Sequence, residues 1–561
     1  MKRNRLNKFL GITLAGTMAL GLAACGNQNN AESTTGSNAG TVEQGSSAAE
    51  ESTAESTEVV EEELTYPLKD ASKLSMWTYN QPPVASIYAD WTESLYHIGL
   101  QENTGVEVEW IYPAAGANVD EAYNLMLTDE VLPNMITNDT SLSDALLLAR
   151  DGMIYDLTDY LPEYAPDYWE YLNSDPELLR SVKADDGRIY GVYGHTEGDY
   201  NGTYIGPVIR QDWLKECGLD MPVTLEDWEE VLVAFKDKYN AKFGFTKKRY
   251  HMGIASGTNA QATIFAYSTI DGWYVNKDGQ IALGQMDEEW KESLEVLHRW
   301  YDMGLIDQDS FTMDDNALRA KVLNNEVGVS ITALSQMTNW INDAQAQGTG
   351  ADWVGMEYPR VAEGVATSRI QSGSRTSATV TMITTTCSEE ELITALKWLN
   401  YGFTEEGGMY INFGNEGETY TLDADGNPQW TDLIKNDPDG VSAAVKKYTG
   451  AHSGVVATIQ AADLVKLINA ETSAAAVYEW IDNTDNSKYV VPKLALTEEE
   501  SITYSDKFTP ISDYCAEMAL KFILGEESLD NFDAFIEKLH TMGVDECQAI
   551  QQAAYERYLA K

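Results

Sequence analysis

Leu74-Ser75-Met76-Trp77-Thr78-Tyr79, Val106-Glu107-Val108-Glu109-Trp110-Ile111 and Asn134-Met135-Ile136-Thr137 are three short β-rich runs with two amphipathic stretches between them. The first connecting stretch, residues 90–104, has helical spacing and stops before Gly105; the second lies around 119–127. Strand runs alternating with helical patterns predict βαβ units and a parallel sheet. Residues 74–139 therefore predict the opening of a doubly wound α/β lobe. Open sheets of this kind bind ligands beyond the carboxyl ends of their strands. That rule singles out Trp77, Tyr79 and Asn80 at the end of the first strand, and Asn138 and Asp139 after the third.

Further along, Asp185-Asp186-Gly187-Arg188-Ile189-Tyr190-Gly191 supplies an Asp-Gly turn that feeds a strand. A second strand over Tyr204–Arg210 follows, leading into Gln211-Asp212-Trp213-Leu214. Thr224 with Asp227, and Ser388 with Glu391, have the spacing of helix caps, each ahead of apolar residues at helical intervals. The chain ends in two amphipathic helices, near 530–539 and 545–559. From Tyr66 onward there are roughly 495 residues, more than one hydrophobic core sustains, so two domains are expected.

Upstream of that body, Lys2, Arg3, Arg5 and Lys8 precede a short apolar run from Phe9 to Ala24. This is the pattern of an export signal, residues 1–24, and the run falls short of the ~20 residues of a spanning helix. It ends in Leu22-Ala23-Ala24-Cys25, which resembles the lipobox of bacterial lipoproteins, in which the cysteine is diacylated; Cys25 is the expected lipidation site. Residues 26–63 hold nine glutamates and no Lys, Arg, Trp, Tyr or Phe. Such a segment cannot bury enough apolar surface to order itself, so residues 25–65 are expected to be an acidic tether with a reach of about 30–37 Å.

Without the four basic residues of the leader, 34 Lys and Arg face 89 Asp and Glu, a net charge of −55. A field of that sign repels phosphate backbones and argues against nucleic-acid binding. Cys217, Cys387, Cys515 and Cys547 show no CxxC spacing; Cys515 and Cys547 sit on predicted helices and could pair. The run Asp423-x-Asp425-Gly426-Asn427 begins like a calcium loop, but Pro428 and Ile434 stand at positions six and twelve, so a turn is expected and no metal. No G-x-S-x-G, H-E-x-x-H or P-loop occurs. No cofactor and no catalytic residue are expected.

Several of these runs together resemble one family. They are Asp186–Gly191, Ile209-Arg210-Gln211-Asp212-Trp213-Leu214 with Pro222, Thr224 and Trp228, and Tyr301-Asp302-Met303-Gly304-Leu305-Ile306-Asp307. Ala395–Tyr401 with Thr404-Glu405-Glu406-Gly407, and Phe413-Gly414-Asn415-Glu416-Gly417, complete the set. The chain resembles extracellular solute-binding proteins of ABC importers, in the large lipoprotein branch of Gram-positive bacteria. The resemblance implies a periplasmic-binding-protein-like α/β fold: two doubly wound lobes joined by hinge strands, with the ligand in the cleft between them. It places lobe 1 at 66–192 plus about 370–440, and lobe 2 at 193–369 plus about 441–561. Insertions after Ile411 and around Lys488 exceed the shorter sugar binders.

It also implies capture of an extracellular solute by hinge closure and delivery to permease subunits, by a monomer held on the outer face of the cell membrane by lipid alone. With 14 Trp and 31 Tyr available as stacking platforms, an oligosaccharide is the expected ligand, since sugar C–H faces pack on rings. A peptide, a charged oligosaccharide and a glycan hydrolase are the alternatives. Tyr204 and Arg210 flank the strand after the first crossing, Trp273 lies in a turn-rich stretch, and Arg375 lies beside a second crossing. Trp340 is similar to the cleft tryptophan of sugar-binding relatives. All five join the candidate ligand-binding residues.

Overall fold

The computed structural model describes residues 64–561, apart from 79–86, 89–92, 115–116, 198–204, 248–271, 365–374, 451–456, 470 and 482–487. The leader, Cys25, the tether up to residue 63, Tyr79, Asn80 and Tyr204 lie outside the described residues. Strands β1 (Leu74–Thr78), β2 (Val108–Ile111) and β3 (Met135–Asp139) are parallel, with Met76 beside Met135 and Trp77 beside both Ile111 and Ile136. β4 (Val192–Thr196) follows the Asp186-Gly187 turn, where Gly187 takes the left-handed conformation at φ +80° and Ala184 N–H donates to Arg188 O.

The chain then leaves this sheet. β5 (Ile205–Arg210), β6 (Lys242–Gly244), β9 (Val327–Ala333) and β10 (Trp353–Gly355) form a second sheet in the order β10-β5-β9-β6. Between them, β7 (Trp273–Asn276) and β8 (Ile281–Leu283) join the late strand β15 (Lys488–Val490) in a three-stranded sheet that absorbs the insertion around Lys488. β11 (Thr376–Ile383) returns to the first sheet and runs antiparallel to β3 and β4 at its centre. The insertion after Ile411 makes a hairpin of β12 (Tyr420–Leu422) and β13 (Pro428–Trp430), which seals a small core of Phe413, Trp430, Ile434 and Leu464. β14 (Ile459–Gln460) then completes the first sheet, whose order is β14-β4-β11-β3-β1-β2. The chain thus stays on the first sheet beyond residue 441, where a passage to the second lobe was expected, because the inserted hairpin is built onto this lobe.

Each main sheet has its own hydrophobic core. The first is built by residues such as Met76, Met135, Tyr168, Ile189, Met382 and Leu399; the second by Val208, Trp228, Leu297, Val329, Trp340 and Phe522. Thr224 and Ser388 form capping boxes with Asp227 and Glu391, as their spacing predicts, and Thr497 does so with Glu500. At Gly206 a Cβ would meet the Trp480 ring at 2.3 Å, so the indole lies against bare backbone and donates to Pro207 O at 2.9 Å. Cys515 and Cys547 are buried thiols that are not joined to each other. Among the described residues no helix is long and apolar enough to cross a membrane.

Candidate functional site

Because β1, β3 and β4 run parallel and β11 runs against them, Thr78, Asp139 and Thr196 end at the same edge at which Thr376 begins. This is the carboxyl edge of the first sheet. The chain crosses between the cores here, after Glu197, ahead of Arg375, and again where Val491 of the second core is followed by Ala495 of the first.

Asn138 and Asp139 are delivered to this edge by β3, opposite Val380 and Thr379. Thr379 Oγ1 donates to Asp139 Oδ1 at 2.7 Å, which leaves the rest of an exposed carboxylate available. Next to it, Ser141 caps the Leu142–Arg150 helix by accepting from Asp144 N–H, so the turn after Asp139 is rigid. Arg375 lies at the same edge; its guanidinium pairs with Asp175, the N-cap of the Pro176–Val182 helix, and 30% of its side chain is exposed. Its carbonyl accepts from Thr196 N–H at 2.8 Å, tying the second crossing to the end of β4. Of the seven candidate residues that are described, Asn138, Asp139 and Arg375 are the ones the structure brings to this edge with side chains at least partly open to solvent.

Four others are corrected. Trp77 is 3% exposed, its ring 5.4 Å from Tyr123 inside the first core, because its β1 position faces the helices. Trp340 lies mid-helix in Leu334–Gln347, 1% exposed and 5.2 Å from Trp353, as a core ring with no face left for a ligand. Trp273 is 2% exposed, and its indole N–H donates to Tyr504 Oη at 2.8 Å. Arg210 ends β5 at the opposite end of the strand from Ile205, which pairs with Ala333 at the carboxyl end of β9. Its buried guanidinium is used up by Asp212, by Asn325 at 2.7 Å and by the Trp213 ring 4.0 Å below it. It is a structural cation.

Sequence reasoning missed Lys493. Its Nζ donates to Ser377 O at 2.9 Å; burial pulls its pKa down to about 8, with Asp139 opposing the shift. Nothing in its neighbourhood in the chain marks it, since its partner lies 116 residues away. Thr379, 240 residues from Asp139, was reachable as a neighbour of Arg375 in an alternating strand. His195, also near this edge, is walled in by Tyr171 and Phe403; burial first and Arg375 second hold its pKa down at about 3, so it is neutral. The strand ends at this edge and the crossings next to them therefore carry a carboxylate, an amide, a hydroxyl, an ammonium and a guanidinium. Donors and acceptors of both kinds side by side suit a ligand rich in hydroxyl groups. Asp423, by contrast, turns its carboxylate onto the N–H groups of Asp425 and Asn427 within the β12–β13 turn.

A profile described as bacterial extracellular solute-binding protein matches residues 84–409. The fructooligosaccharide ABC transporter substrate-binding protein FusA of Streptococcus pneumoniae is 23% identical over 530 residues, covering 91% of this chain and 94% of FusA. Its structure in complex with kestose superposes with a TM-score of 0.65 at 21% identity, covering 87% of this chain and all of that one. Lipoprotein LipO of Bacillus subtilis is 24% identical over 468 residues, covering 80% of this chain and 86% of LipO. An extracellular solute-binding protein of Bifidobacterium longum subsp. infantis, at 18% identity, superposes with a TM-score of 0.69 over 87% of this chain and 98% of its own. With its periplasmic-binding-protein-like arrangement of two α/β lobes, this chain belongs to the bacterial extracellular solute-binding protein family.

Proposed function

We propose that this protein captures an oligosaccharide outside the cell and hands it to the permease of an ABC importer, without altering it. The observation that carries the reading is the carboxyl edge of the first sheet, where Asn138, Asp139 and Thr379 lie at strand ends next to the crossings that carry Arg375 and Lys493. Ligand contacts made only when the lobes shut shift the population towards the closed state. The likeness to FusA along nearly its whole length supports a sugar ligand. A diacylated Cys25 and the acidic tether after it would keep a monomeric body at the membrane, a reading supported by the likeness to a lipoprotein.

Calorimetry and thermal unfolding with kestose, other neutral oligosaccharides, oligogalacturonates and peptides test this. A bound sugar at a hundred times its Kd raises stability by about 2.7 kcal/mol, and small-angle scattering shows compaction. Stabilisation by peptides alone, or steady release of cleaved product from a sugar, sinks the proposal.

A further inference from the structure

The Val544–Leu559 helix belongs to the second lobe. Val544 and Cys547 are buried in that core, Gln548 donates to Ile281 O at 2.7 Å, and Gln552 accepts from Ile281 N–H at 2.8 Å. Its last turn nevertheless reaches the first lobe. Arg557 Nε donates to Asp185 at 2.8 Å, while Nη1 and Nη2 grip both oxygens of Glu500 at 2.9 and 2.6 Å. Nη2 also donates to Ala495 O at 3.1 Å, on the segment that passes between the two cores. Tyr558 donates to Glu177, and Lys561 Nζ sits 3.0 Å from Asp185 and donates to Lys183 O. Glu177 and Asp185 flank Leu178, Val182 and Ala184 of the first core. All the donors are on the second lobe, and the side-chain acceptors Glu177 and Asp185 are on the first.

What these residues hold gives the contact its meaning. The Pro176–Val182 helix, which carries Glu177, holds Arg375 through its N-cap Asp175 and holds Thr376 through Ser181 Oγ at 2.5 Å. Asp185 lies on the turn that feeds β4, whose far end is Thr196. Ala495 lies two residues after Lys493. The clamp is therefore fastened to the same short elements that position the candidate ligand-binding edge.

We propose that Arg557 is a positioning residue: the last turn of its helix is a non-covalent connection between the lobes that sets their relative placement and so the affinity for ligand. A planar guanidinium suits this role because one rigid fork holds two carboxylates and a carbonyl in fixed relation, which an ammonium cannot do. Burial works against the ionised form of Glu500, but hydrogen bonds from Arg557 and Thr497 outweigh it and hold the carboxyl below its usual range.

The test compares Arg557→Met, Arg557→Lys and Asp185→Asn in the full protein by hydrogen exchange, ligand-free scattering and kestose calorimetry. Amides of residues 491–497 and 375–379 are expected to exchange about tenfold faster in Arg557→Met, equivalent to about 1.4 kcal/mol. Amides of the second core should keep their rates, and the ligand-free radius of gyration should shift. Arg557→Lys should recover only part of the difference, and kestose affinity should fall in step with exchange. Unchanged exchange at both segments together with an unchanged scattering curve overturns the proposal, whether or not kestose binds. If kestose fails to bind the unsubstituted protein, the sugar assignment falls and the two ligand-free measurements still decide on the clamp. Should Arg557→Met not fold, Asp185→Asn, which keeps side-chain shape, is judged by the same criteria.

Discussion

Arg375 and Arg210 each pair with an aspartate near a strand end, yet they belong to opposite kinds of surroundings. Arg375, at the carboxyl edge of the first sheet, keeps nearly a third of its side chain in solvent, on the same edge that carries an exposed Asp139. Arg210, at the other end of β5, is enclosed by Asp212, Asn325, Trp213 and Trp353. The same contrast holds for whole regions. The edge of the first sheet has polar groups with capacity to spare, whereas the second core has spent its aromatic and cationic groups on itself. Richness in tryptophan measures how the cores are packed here, and the proposed site draws instead on half-satisfied polar groups.

The contrast breaks if Trp340→Ala loses ligand and keeps its stability. The opposite is expected: about 3–5 kcal/mol of unfolding free energy lost in denaturant titration, as for a large buried ring, with kestose affinity per folded molecule unchanged.

Acid sharpens the comparison next. His195 and His97 have folded pKa values of about 3, lowered by burial, against an ordinary value of 6.5. Between pH 6.5 and 3 the unfolded chain takes up protons that the folded chain refuses. Stability therefore falls as pH drops through that window, by about 1.4 kcal/mol per pH unit for each histidine. His195→Gln should remove its share of the slope, read from denaturant midpoints at pH 4 and 7. An unaltered slope would mean that His195 is protonated in the folded protein.

The smallest change in stability is expected at the polar edge. Asp139→Ala removes an exposed carboxylate and should shift the thermal midpoint little, yet weaken kestose about tenfold in calorimetry, the scale of one charged hydrogen bond. Lys493→Met should weaken it to a similar degree. It should also abolish a rise in stability between pH 8 and 10.5, the window in which the unfolded lysine holds a proton that the folded one has released. If either variant binds as the unsubstituted protein does, that residue lies outside the site.

Much of this was legible locally. The strand runs at 74–79, 106–111 and 134–137 announce the parallel start of the first sheet, and Thr224 and Ser388 announce their helices, because alternation and caps act over a few residues. Asn138 and Asp139 followed from strand order alone. Trp340, in the middle of its helix, and Trp273, at the start of β7, misled because an aromatic residue carries no mark in the sequence of which way its ring faces. Lys493 was invisible because its partner Ser377 lies in β11, 116 residues away.

The order of residues by itself determined the α/β class, the excess of acidic residues and the need for more than one core, since composition and short-range periodicity suffice for these. Only the tertiary structure decided that Arg210 is enclosed and Arg375 open, that Lys493 reaches the first sheet at Ser377, and that Arg557 holds Asp185 and Glu500 together. Burial and hydrogen-bond satisfaction are properties of what distant segments bring together, and no local pattern encodes them.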